Sequence, residues 1–86
     1  MALELCDYIF IARQKLNDVL GAYSNFFIKN NFDESDVNNP FVKAKKALIE
    51  IDNVKLYNCK NNEDVDNIIA QIKEYEVLLQ KNTDNK

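Results

Sequence analysis

The stretch ALELCDYIFIARQKLNDVLGAYSNFFIK, residues 2–29, decides the fold. Its apolar side chains return at Ala2, Leu5, Ile9, Ala12, Leu16, Val19, Tyr23 and Phe26, in steps that alternate between three and four. On an α-helix such positions stack along one face, whereas a half-buried strand would alternate every second residue. The alternation holds for nearly four heptads, the pattern of a helix that lies lengthwise against other helices. Cys6, Leu20 and Phe27 widen one flank of the stripe, while Leu3, Phe10 and Ile11 fall elsewhere on the wheel and add a second apolar strip to the N-terminal half. Gly21 lies opposite the stripe. A glycine inside a helix costs about 1 kcal/mol against alanine, so it suggests a kink or a close contact there.

Working outward, two further helices follow. Asn39 followed by Pro40 is a helix start, because asparagine caps and proline suits the first helical position. Phe41, Ala44, Leu48 and Ile51 then continue a helical stripe with Ala47 and Val54 beside it, and the Asn-rich run 58–62 ends it. The third helix is capped by Asn61 or Asn62. Its first turns hold Glu63, Asp64 and Asp66, where carboxylates suit the helix dipole, and its stripe is Val65, Ile68, Ile72, Tyr75 and Leu79. Short connections favour antiparallel neighbours. The expectation is an all-α chain, an antiparallel three-helix bundle with a long first helix, over about 2–29, 40–58 and 62–81. It forms a single helical domain, residues 1–86, with 82–86 as a frayed tail. A hairpin with the third helix laid across it fits the same pattern.

The remaining composition is mostly exclusion. With 86 residues, 47% of them hydrophobic and 29% charged, the chain has room for one core. One Gly and one Pro are too few for a turn-rich β fold. There is no His, so the usual zinc sites lose a ligand and a Ser-His-Asp arrangement is impossible. A single Gly rules out a glycine-rich phosphate loop. Cys6 and Cys59 lack metal or redox spacing and read as ordinary reduced cysteines. The acidic connection Asp33, Glu34, Ser35 and Asp36 lacks the central glycine of a calcium loop. These features lead to no catalytic residue, no cofactor, no metal, no small-molecule substrate and no enzyme. Nor is there an apolar run long enough for a membrane span or a signal sequence, which leaves the cytoplasm of the producing or host cell.

Charge is unevenly placed. The net charge is −3, yet residues 40–60 carry five lysines against Glu50 and Asp52, between acidic neighbours. Lys43, Lys45 and Lys46 are a candidate patch for an acidic partner. Lysines without arginine or interleaved aromatics make nucleic acid the weaker reading. Tyr23, Phe26, Phe27, Phe32 and Phe41 gather where the first helix meets the second, and Phe27 and Phe32 are expected to remain at the surface. Either the third helix covers the second strip of helix one or a partner does.

The candidate partner-binding residues are therefore Leu3, Phe10, Ile11, Phe27, Phe32, Lys43, Lys45 and Lys46. The function class they imply is a helical module that binds another protein or a second copy of itself. A regulator or inhibitor carried by a phage or mobile element fits, as does an immunity or antitoxin-like protein. The rival readings are a nucleic-acid-binding dimer working through the lysines of helix two, and a structural coiled-coil subunit.

Overall fold

The computed structural model describes residues 4–84, and among them the chain forms three helices and no strand. Helix α1 runs Leu5–Asn30, α2 runs Pro40–Glu50 and α3 runs Asn62–Asp84. A π turn, Ile51–Lys55, and a 3₁₀ turn, Leu56–Asn58, extend α2. The antiparallel helical bundle expected from the spacing is what forms. At roughly 1.5 Å per residue the 26 residues of α1 account for nearly all of the longest dimension, 44 Å. No helix among the described residues is long and apolar enough to cross a membrane.

The helix ends follow local chemistry. Glu4 caps α1 in a reciprocal box with Asp7, so regular helix begins at Leu5. Asn39 accepts the Phe41 amide at 2.9 Å with Pro40 in the first turn, and Asn61 accepts the Asp64 amide at 2.9 Å at the start of α3. The polar residues 82–84, expected in the tail, continue α3, while 85 and 86 lie outside the described residues.

The stripes meet in one core. Ala12, Leu16, Val19, Tyr23 and Phe27 of α1 face Val42, Ala44 and Leu48 of α2, Ile51 and Leu56 beyond it, and Val65, Ile68, Ile72 and Leu79 of α3. The α1–α2 hairpin is antiparallel. Phe26 lies 5.1 Å from Phe41 between ring centroids at one end, and Arg13 meets Asp52 and Tyr57 at the other. α3 runs against α1, where the Tyr23 hydroxyl donates to the Tyr75 carbonyl at 2.8 Å and Lys15 pairs with Glu76 at 2.7 Å.

Three residues depart from the expected pattern. Phe27 is core, 2% exposed, although it was expected at the surface, and Phe26 only flanks it. Asn31 ends α1 in the left-handed conformation (φ 56°), the Phe32 amide donates to the Phe27 carbonyl at 3.1 Å, and the two rings meet at 5.5 Å. This is a Schellman closure with its apolar contact, and it folds Phe32 back over the end of the hairpin. Phe32 is thus half-buried among Phe26, Phe27 and Phe41 rather than exposed. In α2, Val42 joins the core although it lay outside the stripe.

The π turn accounts for a fourth difference. Ordinary spacing after Ile51 would bring Val54 or Lys55 inward. Instead the Leu56 amide reaches back five residues to the Ile51 carbonyl, which widens the turn and inserts one position. Leu56 is buried at 1% exposure, while Val54 and Tyr57 stand out at 48% and 71%.

Gly21 makes no close contact. Its φ is not positive, and a Cβ built there meets nothing within 4 Å. Gly21→Ala is therefore expected to stabilise the free chain by about 0.5–1 kcal/mol, read as a higher urea midpoint at unchanged slope. A lower midpoint would mean that the site needs glycine for a reason inside the fold.

Candidate partner-binding surface

α1 is flanked by α2 and α3, and their contacts claim its core face. Phe10 and Ile11 lie off that face and remain 61% and 46% exposed. The third helix therefore leaves the second apolar strip of α1 uncovered at these two residues. Leu3, the other member of that strip, lies outside the described residues. Two large apolar side chains adjacent in sequence, on a well-capped helix, form a rigid surface whose burial by a partner would release ordered water.

The lysines divide. Lys43 and Lys46 are exposed on α2. Lys45 is turned inward: its ammonium pairs with Glu34 at 2.6 Å and sits 5.5 Å from the centroid of Phe27. The basic patch thus presents two free cations instead of three. Beside them Ile49, 40% exposed, and Lys46 border a shallow groove floored by Phe27 and Val42.

The acidic connection does local work. Asp33 accepts the Ser35 amide at 2.9 Å and its hydroxyl at 2.6 Å, and these two bonds hold its carboxyl below the usual range. Asp36 takes the Asn38 amide at 3.2 Å. Both are turn-forming asparagine-type contacts between α1 and α2. Both cysteines are free thiols, Cys6 exposed and Cys59 half-buried, and burial, then Asp64, pushes the Cys59 thiol up.

Other exposed apolar residues carried no signal in the stripe reading. Ile28 is 77% exposed and Val77 52%. Each sits outside its helix's three-four pattern, which is the one hint the sequence offers. Tyr57 belongs with them. Its exposure depends on the π turn, and its contact with Arg13, guanidinium carbon 5.1 Å from the ring centroid, joins residues far apart in the chain.

Among the described residues, Tyr23 is the one buried titrating group with a large shift. Its phenol is pushed up to about 12 by burial and then by Tyr75. The fold favours the neutral phenol, so this stabilisation is complete below pH 10 and is lost as pH rises from 10 towards 12. The loss is on the order of 2 kcal/mol. Tyr23→Phe should cost about 1 kcal/mol near neutral pH, through the bond to Tyr75, yet decline less steeply above pH 10. Lysine titration is common to both proteins and cancels in the difference. Parallel stability–pH curves would remove the assignment.

No curated protein matches the chain, and neither does any solved structure. A protein-family model described as bacterial epsilon antitoxin does match, over residues 11–82, which takes in α1 from Ile11, all of α2 and nearly all of α3. A match over so much of the three-helix bundle makes this chain a member of the bacterial epsilon antitoxin family.

Proposed function

We propose that the chain is a non-catalytic inhibitor that neutralises a protein toxin by direct contact, in the cytoplasm of the cell that makes it. Membership of an antitoxin family carries the reading, because an antitoxin of this kind has a protein as its target. The surface offered is the N-terminal half of α1 around Phe10 and Ile11, the large apolar pair its neighbours leave open. Lys43 and Lys46 form a second, polar contact zone. Carriage on a phage or other mobile element fits a small stand-alone inhibitor.

The rival nucleic-acid reading loses one of its three lysines to Glu34. Three cations were already few for backbone binding.

The test is co-expression with the cognate toxin. The chain is expected to restore growth and to co-purify with the toxin as a stoichiometric complex that survives moderate salt. Rescue without any complex, or a complex that leaves the toxin active, would end the reading.

A further inference from the structure

Arg13 is the only arginine in the chain. It rises from α1 towards the π-turn end of α2, where its guanidinium lies on the Tyr57 ring at 5.1 Å from the centroid. Its Nε is closed off from solvent and has no hydrogen-bond acceptor. Asp52 approaches that side but stops at 3.6 Å, beyond hydrogen-bonding range. The terminal amino groups make no hydrogen bond to any described residue, and the side chain is 37% exposed. The result is a planar cation held in place by an aromatic face, with its donors unspent.

Besides Asp52, exposed apolar residues lie close by in sequence on both helices. Tyr57 is 71% exposed and Val54 48%, both turned out by the π turn. Phe10, 61% exposed, precedes Arg13 by one helical turn on α1. Tyrosine and arginine are the residue types that most often dominate protein interfaces, in clusters ringed by apolar contacts.

We propose that the Arg13–Tyr57 stack is the specificity anchor of the toxin-binding surface, receiving a carboxylate side chain of the toxin while Tyr57, Val54 and Phe10 cover an apolar neighbour of that acid. The occupant follows from charge and shape together. A guanidinium fork pairs with a carboxylate through two parallel bonds. The exposed apolar rim calls for attached hydrocarbon, which a protein segment supplies and a free anion does not. Asp52 pairs with the Nε side at 3.6 Å without a hydrogen bond, which leaves the terminal amino groups for a partner's carboxylate.

This proposal rests on the antitoxin reading, and the experiment separates the two. Affinity for the cognate toxin is measured by calorimetry for the wild-type chain and for Arg13→Gln, Arg13→Lys and Tyr57→Ala. Arg13→Gln is expected to weaken binding at least tenfold, Arg13→Lys to recover little of it, and Tyr57→Ala to weaken it severalfold. All three should melt close to the wild type, since a half-exposed ion pair that makes no hydrogen bond contributes little to stability and Tyr57 is 71% exposed. A double-mutant cycle should find one toxin carboxylate coupled to Arg13. A wild-type chain that binds no toxin removes both readings. Wild-type binding that Arg13→Gln and Tyr57→Ala leave unchanged overturns this one alone. Full recovery by Arg13→Lys would also overturn it, because a point charge would then suffice.

Discussion

Leu16→Ala should bring the chain close to unfolding at physiological temperature. Leu16 is 0% exposed at the middle of α1, where α2 and α3 both converge. Truncating a fully buried leucine removes its transfer energy and leaves a cavity, about 3–4 kcal/mol together. Against that, an 86-residue chain at the usual per-residue average holds only roughly 4–13 kcal/mol. For a domain of this size the loss corresponds to a fall in Tm of roughly 15–20 °C. Thermal melts followed by circular dichroism provide the measurement, with Val77→Ala as the control because Val77 is 52% exposed. If Leu16→Ala melted no lower than Val77→Ala, the convergence of the three stripes at Leu16 would be wrong.

The second large effect concerns function and leaves the fold alone. Changing Phe10 and Ile11 together to Asp places two charges where the chain itself packs little, so the melting temperature should stay within a few degrees of the wild type. Toxin binding should fall by a hundredfold or more, because two carboxylates would then have to be buried against the partner without counter-charges. Growth rescue in the co-expression assay should disappear with it. The comparison variant is Lys43→Ala with Lys46→Ala, which should change the salt dependence and on-rate more than the stability of the complex. If the Asp pair neutralised toxin as well as the wild type, the apolar strip of α1 would not be the contact. A loss confined to the lysine variant would move the interface to α2.

Stripe reading and tertiary structure agree where the signal is local. Asn39–Pro40, Asn61 and the acids after it mark helix starts by hydrogen bonds that span two or three residues, and each is where spacing and capping chemistry put it. Ala12, Leu16, Val19 and Tyr23 were marked for the core by period alone, as were Leu48, Ile51, Val65, Ile72 and Leu79. The surface strip was half legible. Its apolar residues could be named, but whether α3 covered them depended on how one helix rotates against another.

The sequence by itself determined how many helices there are and most of the residues that each turns inward. A three-four period is imposed by helix geometry, so no neighbour is needed to read it. Only the tertiary structure decided the rest. Phe27 went inward because Asn31 closes α1 in the left-handed conformation and draws Phe32 over it. Leu56 displaced Val54 because one hydrogen bond at Ile51 spans five residues instead of four, a change that leaves no mark on composition or spacing. Arg13 found Tyr57 because the hairpin folds back on itself. The first two are choices between near-equal local backbone options that a three-four period does not rank, and the third joins residues distant in the chain.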